Sequence, residues 1–482
     1  MKELKTISTG ISIYIKDWLI QENSLKFRSF YGEIFSLLLL KQTSILDSQA
    51  FSILLKEYDK KDKNASDFHF EFNNYAFINF LKLVEDKEIR ERLLPLRFKN
   101  TPCTNWTLLR SNARILCKVD TELALKEAKA KISRFQLKNG LILDDKGVKS
   151  FQYHCFSMAM IAEIYEETKD SFFLNSFILG VSFIRNFILP NGDTLYIGRG
   201  QEQSFGYGTL IYILALYNKL VFDDTVLVEI ELVLSFLKKY RLDKGNFPLV
   251  MNKIQPVEPE NVNLMDKRFA GWYAYNNYFD YLPFMGVFMF KAWDILRKNE
   301  VSVSNKRITQ KNYQDGHFRK IVREDYVAII SKPGGYWSND IPIPLIYYNG
   351  EVITPCYGGE QYVSGLCDEK AIPLPFFDKL NKSIRWRCFS FLIQNYLIVI
   401  NPLGIMIRHF NYGIKEINIK TFVLSFFKFK NIFVNIKNAS NKFEITCNRK
   451  LKKMSGNWVT ANGEVELYYS RGKRQIINIK LL

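Results

Sequence analysis

The sequence has little of what holds small or metal-dependent proteins together. Its 482 residues include four histidines (His69, His154, His317, His409) and seven cysteines, with no CxxC pair and no short Cys/His cluster. An odd, scattered set of cysteines excludes a dense disulfide framework and offers no zinc-ligand spacing, so reduced thiols and no metal or other cofactor are expected. Long apolar runs are also missing. Near the N-terminus the apolar stretch Ile11–Ile15 is cut off by Lys16 and Asp17, short of the roughly 7–15 residues of a secretory signal. The longest aliphatic run, Leu37–Leu40 with its neighbours, falls far below the ~18 residues of a membrane span. A soluble, cytoplasmic protein with no transmembrane segment is the expectation. No GKS or GKT phosphate loop is present, and no nucleic-acid-binding motif supports a nucleic-acid partner.

Acidic residues are also few, 49 against 67 Lys and Arg, for a formal charge of +18. A surplus of that size attracts polyanions at long range. It is concentrated at the end of the chain, where the last 72 residues hold 14 Lys and Arg but four Asp and Glu. At 47% hydrophobic and 15% aromatic, there is ample apolar surface for a core, and the length calls for more than one domain.

Residues 110–300 carry helical periodicity. Phe156, Met160, Ile161, Ile164 and Tyr165 form one face at a 3.6-residue period, and the stretch 226–242 behaves similarly. A repeat organises these helices: RFQLKNGLIL, NFILPNGDTL and KYRLDKGNFP place Gly140, Gly192 and Gly245 at intervals of 52 and 53 residues. Each glycine follows a helix-like stretch and can take the left-handed conformation that ends it. One helical hairpin per repeat is the natural reading, and such hairpins stack as an open solenoid or a closed ring. From about residue 318 the pattern changes to short runs rich in Ile, Val, Phe and Tyr, including DYVAIISK, FLIQNYLIVI and QIINIKLL, the signature of an antiparallel sandwich. The expected class is therefore α+β. Residues 1–100 are an N-terminal helical part, 101–300 the helical core, 301–317 a polar linker and 318–482 a β-sandwich.

Polar and aromatic residues that a plain core does not need gather in four segments. Asn105 and Trp106 stand at a helix start; Ser150, Tyr153 and His154 precede an amphipathic helix; Arg199, Gln201, Glu202 and Gln203 lie among glycines; and Trp272, Tyr273, Tyr275, Asn276 and Asn277 form an aromatic and amide run. Taken singly, Asn105 can be a helix cap, Tyr153 or His154 a core residue, and the glycine-rich segment a turn. The Trp/Tyr/Asn run resembles a sugar platform, where flat rings stack on pyranose faces and amides bond hydroxyls.

Together the NW at Asn105–Trp106, the S-x-x-Y-H at Ser150–His154, the P-x-G to GRGQ stretch at Pro190–Gln201 and the TPCYGGEQY segment resemble the heparinase II/III-like polysaccharide lyases, over roughly residues 100–365. The resemblance departs from that family where DDKGVKSFQYH has Val148 and Lys149 in place of an acidic residue. It implies an (α/α) toroid followed by a β-sandwich, and β-elimination at a uronic acid of an acidic polysaccharide or oligosaccharide, linked to capsule or exopolysaccharide metabolism. By matching position it implies that Asn105 neutralises the substrate carboxylate, that Tyr153 is base, acid or both, and that His154 and His409 complete the catalytic set. Trp106, Arg199, Gln201, Glu202, Gln203, Trp272, Tyr275, Asn276 and Asn277 are then substrate-binding. A uronyl C5-epimerase, a glycosidase using acids among Asp144, Asp145, Asp193 and Glu202, and a glycan-binding protein without turnover remain as alternatives. The oligomeric state is not set by the sequence.

Overall fold

Helices that bury one stripe and helices that bury every side alternate along the first 300 residues, and this alternation builds a ring. The computed structural model describes residues 2–25, 29–66, 68–96, 101, 103–198, 200–251, 255–263, 278–298, 309–332, 344–354, 389–401, 404–425, 432–438, 441–453, 458–460 and 463–482. Within them the helices are α1 (Lys2–Glu22), α2 (Gly32–Gln42), α3 (Ser48–Asp59), α4 (Phe70–Leu81), α5 (Lys87–Glu91), α6 (Thr104–Cys117), α7 (Thr121–Phe135), α8 (Phe151–Thr168), α9 (Ser171–Arg185), α10 (Ser204–Val221), α11 (Thr225–Lys238) and α12 (Tyr278–Leu296). The even-numbered helices pack in sequence, α2 on α4, α4 on α6 and so on to α12, which returns to α2 and closes an inner ring. The odd-numbered helices pack outside it. Burial follows position. Outer α7 buries only Ala124, Ala128, Ile132 and Phe135, a single stripe, whereas inner α10 is buried on all sides from Ser204 to Asn218.

The glycine repeat is the outer joint of the ring. After α7, α9 and α11 the chain makes the same turn three times: Gly140, Gly192 and Gly245 donate to the carbonyls of Leu137, Leu189 and Leu242, whose own amides donate to the carbonyls of Leu141, Asp193 and Asn246. All three glycines have positive φ, +100°, +89° and +83°. A Cβ at Gly140 or Gly192 would fall on the carbonyl of Leu179 or Leu232, in the next outer helix. Gly245 instead lies against Gly10 of α1, so the joint after α11 is made with the first helix of the chain.

The inner seam is closed by the first turn of α12. Asp280 accepts hydrogen bonds from the Tyr31 amide (2.8 Å), the Phe30 amide (3.0 Å) and Ser29 Oγ (3.0 Å), fixing the entry to α2. Pro283 has no N–H to give the Phe279 carbonyl, four residues before it. That carbonyl lies so close to Gly32 that any side chain there would collide with it.

Beneath this level the ring axis is filled. Phe35, Phe72, Phe156, Phe284 and Phe288 are all buried and form an aromatic plug, with Phe284 at its centre 4.8 Å from Phe35, 5.3 Å from Phe156 and 4.7 Å from Phe288 between ring centres. Below it, Glu163 of α8 accepts from Tyr75 of α4 (2.9 Å), Asn112 of α6 (2.8 Å), Tyr212 of α10 (3.1 Å) and Lys291 of α12 (2.8 Å). Lys291 also donates to Tyr75 Oη at 2.7 Å and Asn79 Oδ1 at 3.1 Å. Burial opposes the Glu163 anion, but attraction to Lys291 and these hydrogen bonds outweigh it and hold the carboxyl below its ordinary range.

The remaining chain forms antiparallel sheets. The first is β1 (Tyr313–Gln314), β2 (Phe318–Val322), β3 (Tyr326–Ser331), β4 (Leu345–Tyr348) and β5 (Glu351–Val352), in that order. Strand β1 lies inside the stretch expected as linker. Next come β6 (Phe389–Ile393), β7 (Tyr396–Asn401), β8 (Gly404–Tyr412), β9 (Glu416–Ser425), β10 (Ile432–Asn438), β11 (Phe443–Cys447), β12 (Lys452–Lys453), β13 (Trp458–Thr460), β14 (Gly463–Arg471) and β15 (Arg474–Leu481). They make a six-stranded sheet, β11-β15-β9-β8-β7-β6, and a smaller one in which β14 pairs with β10, β12 and β13. The first sheet is buried on both faces. Phe318, Val327, Ile329, Leu345 and Val352 join the helical core, while Ile321, Tyr326, Ala328, Ile330 and Ile346 pack with Leu397, Met406 and Phe410 of the six-stranded sheet. The order is therefore toroid, first sheet, second sheet.

Removing one partner of a buried, hydrogen-bonded ion pair leaves the other charge stranded. Glu163→Ala is expected to lower stability by about 3–5 kcal/mol in chemical denaturation, and the Glu163→Leu/Lys291→Met double variant to recover most of that loss.

Candidate functional site

Because the inner helices all run the same way, their N-termini meet at one end of the ring and form a mouth. The positive dipole ends of six helices converge there, favouring negative charge. The side chains of the first turns line it. Tyr31, preceding α2, stacks on Phe72 at 4.3 Å; His69, preceding α4, lies 4.7 Å from Trp106 of α6 and 5.8 Å from Tyr31. On the other side Tyr153 of α8 meets Phe205 of α10 at 5.6 Å, and Phe205 meets Tyr281 of α12 at 4.6 Å. Tyr153 and Tyr31 are near enough for each charge to be felt by the other; burial, then Asp280 and Tyr153, push the Tyr31 phenol well above its usual range. The aromatic plug closes the floor of the mouth.

Asn105 and Tyr153 stand in the first turns of neighbouring inner helices. Ser150 caps α8 by accepting the Tyr153 amide at 3.2 Å, and its backbone pairs with Gly198. Tyr153 itself is half-buried. Asn105 is 2% exposed, yet its Oδ1 finds no hydrogen-bond partner among the described residues. An unspent buried amide oxygen costs stability, and a residue serving only as a cap would have spent it. Trp106 is half-buried, on His69 and Phe72.

Other expected residues lie elsewhere. His154 is fully buried. Its Nδ1 accepts the Ile142 amide at 3.1 Å and its Nε2 pairs with the Gly180 carbonyl of α9 at 3.0 Å. Burial pushes its pKa down to about 4 despite the Gly180 bond, so it is a neutral strut between inner and outer helices and not a proton carrier. His409 is also displaced from the expected set. On β8 the even-numbered Met406, Phe410 and Tyr412 face the first sheet, which turns His409 to the opposite face, against Tyr396 at 4.5 Å and away from the toroid. His317, the other histidine of this half, lies near Lys149 and Lys332; burial and these cations lower its pKa to about 4. Lys149 is turned to the first sheet, where it donates to Ser331 Oγ (2.8 Å) and the Lys332 carbonyl.

Gln201, Glu202 and Gln203 are buried frame residues and not surface contacts. Gln203 accepts from Gln152 at 2.7 Å and its backbone pairs with Val250. Glu202, at φ +58°, is bonded to Asp193 and accepts the Tyr207 hydroxyl. Asp193 Oδ1 and Glu202 Oε1 are each buried with no ordinary donor, and a proton shared between the carboxyls accounts for both. Burial and mutual repulsion keep that proton in place above the usual carboxylate range. Asp144 is also buried, at 2% exposure, so three of the four acids considered for a glycosidase are withdrawn from solvent. Arg199, Trp272, Tyr275, Asn276 and Asn277 lie outside the described residues. The contributions of Tyr31 and His69 to the mouth were not anticipated. Their only signal was aromatic density before an unassigned helix.

No family model and no curated protein matches the chain, but solved structures do. A chondroitin AC lyase of Streptomyces coelicolor A3, in complex with chondroitin sulphate, matches with a TM-score of 0.51 at 7% identity, covering 93% of this chain and 74% of that one. A polysaccharide lyase matches at 0.44 and 14% identity (63% of this chain, 100% of that one). A glycosyl hydrolase family 88 protein from Bacteroides vulgatus matches at 0.42 and 13% (61% and 99%). The first likeness places the chain in a fold class: a helical toroid followed by antiparallel sheets. No helix of the described residues is long and apolar enough to cross a membrane.

The shared proton has a measurable consequence. The unfolded chain releases it near the ordinary carboxylate value of about 4 while the folded chain keeps it, so the folded state binds more protons above that pH and stability falls as pH rises. Thermal midpoints should therefore decline from pH 5 to pH 8, and Glu202→Gln should flatten the decline and raise the midpoint at the upper end.

Proposed function

We propose that the chain is a polysaccharide lyase of heparinase II/III-like character that cleaves an acidic, uronate-containing glycan by β-elimination at the toroid mouth. The observation that carries this reading is the placement of Asn105, buried with no partner for its Oδ1 among the described residues, and of half-buried Tyr153 in the first turns of neighbouring inner helices, at a convergence of six helix N-termini. Removing a proton from C5 of a uronate is hard because charge builds up on its carboxylate. Asn105 donates from Nδ2 to that carboxylate and the helix ends favour the added charge, which lowers the barrier. Tyr153, as phenolate, takes the C5 proton; the C4–C5 double bond forms as the C4–O bond breaks, and the phenol returns its proton to the leaving oxygen. Trp106 stacks on a sugar ring. Arg199 binds a substrate carboxylate or biases Tyr153 toward the phenolate; its described neighbours Gly198 and Gly200 lie against Ser150 and Gln152. The fold likeness to a chondroitin lyase supports the substrate class, and the burial of Asp144, Asp193 and Glu202 weighs against hydrolysis by a carboxylate pair. An intracellular role in capsule or exopolysaccharide metabolism fits the sequence expectation, and recovery of the native protein from a culture supernatant would overturn it.

Incubation with a panel of acidic polysaccharides, followed by the ultraviolet absorbance of the unsaturated product, tests the reading. Tyr153→Phe is expected to lower kcat by about 10²–10⁴-fold and Asn105→Ala by about 10²–10³-fold, both remaining folded. His154→Gln should lower thermal stability and leave the pH profile of kcat unchanged. Isomer exchange at C5 without the absorbance would assign an epimerase instead.

A further inference from the structure

A second cavity, of about 530 Å³, lies between the outer helices and the first sheet and shares no residue with the mouth. Its wall includes Arg185, Asn186, Thr225, Glu229, Gln310 and Lys320. Half-buried Arg185 and buried Lys320 differ in how their charge is met. Arg185 is saturated: its guanidinium donates to Glu229 and Asp223, both at 2.7 Å, and to Thr225 Oγ1 at 2.8 Å. Lys320, on β2 and 2% exposed, donates to two neutral oxygens, the Asn186 carbonyl at 2.6 Å and Gln310 Oε1 at 2.7 Å. No carboxylate contacts it among the described residues. Burial alone pushes its pKa down to about 8, the mark of a charge kept at a cost and not compensated from within.

An ammonium has three donors, and the third N–H of Lys320 has no acceptor among the described residues. Asn186 spends its Nδ2 on the carbonyls of Ser182 and Phe183, which leaves Oδ1 uncommitted, and Glu229 uses only Oε2 on Arg185. The wall thus offers one buried cationic donor and two acceptors, together with the exposed Lys311. A bare inorganic anion would satisfy the donor and be repelled by Glu229, and a neutral sugar would leave the ammonium unmet. The geometry points to this cavity as a binding site for a hydroxylated carboxylate of monosaccharide size, a sugar acid, with its carboxylate on Lys320 and its hydroxyls on Asn186 and Glu229. The site is independent of the chemistry proposed at the mouth.

The test is calorimetric titration of the full chain with sodium glucuronate, glucose and sodium sulfate. Glucuronate is expected to bind the wild type and Tyr153→Phe alike, at least tenfold more tightly than glucose or sulfate. Lys320→Met removes the cation and should weaken glucuronate at least tenfold. Gln310→Glu is nearly isosteric and places a carboxylate on Lys320 in exchange for the Gln310 Nε2 bond to the Ile188 carbonyl, so it should also abolish binding; it serves if the methionine variant does not fold. Binding to Gln310→Glu as tight as to the wild type, loss of binding in Tyr153→Phe, or sulfate binding equal to glucuronate would each overturn the assignment.

Discussion

The ring depends on one ion pair. Glu163 and Lys291 meet on its axis, and the hydroxyls and amides of Tyr75, Asn112, Tyr212 and Asn79 complete their hydrogen bonds, so five of the six inner helices end on one network. Hydrophobic packing alone does not choose a rotation for a helix buried on all sides, because every face is apolar. A carboxylate that must meet four donors at once does choose. Buried polar networks of this kind act on specificity of arrangement more than on net stability, and here the arrangement fixed is the direction each inner helix presents to the axis.

That direction decides what the mouth contains. With Asn112, Glu163 and Tyr212 held inward, residues about two turns or more before them on the same helices reach the mouth: Asn105, Tyr153 and Phe205. The phenylalanine plug separates the two levels, leaving a positively biased mouth above and a hydrogen-bonded ionic network below. Asp280 performs the same service at the seam, tying the approach to α2 to the start of α12, so that Tyr31 sits opposite Tyr153. The first sheet is then fastened from outside through Lys149, which explains why the chain carries a lysine where the lyase resemblance leads one to look for an acid.

Much of the fold could be read from residues. The glycine spacing marked three identical joints, and the shift to β-branched and aromatic runs marked the sheets. Residues 1–100 were harder to read because they carry none of these joints, although they supply α1 to α5 of the same ring. The site was legible in part. Asn105 and Tyr153 follow local rules of helix starts, but adjacency in sequence puts His154 about a third of a turn from Tyr153, which on α8 means facing the outer helix. His409 was misplaced because a strand's period of two sets its face only once the partner sheet is known. The Glu163 network was invisible, since its members lie on separate helices with no spacing to link them. Gln201, Glu202 and Gln203 were expected to bind substrate, yet their polarity is consumed within the frame.

The joint between Gly245 and Gly10, with α1 packed on α12, carries a cost in time. Helix α1 buries Leu4, Ile7, Ile11, Ile15 and Leu19 against a partner that begins at residue 278. At synthesis rates of roughly 5–20 residues per second, its apolar stripe waits on the order of tens of seconds beside a growing chain. The toroid therefore cannot mature hairpin by hairpin as an open solenoid does; its first helix is among the last to be seated, and the newborn chain is most exposed to aggregation until the twelfth has been made.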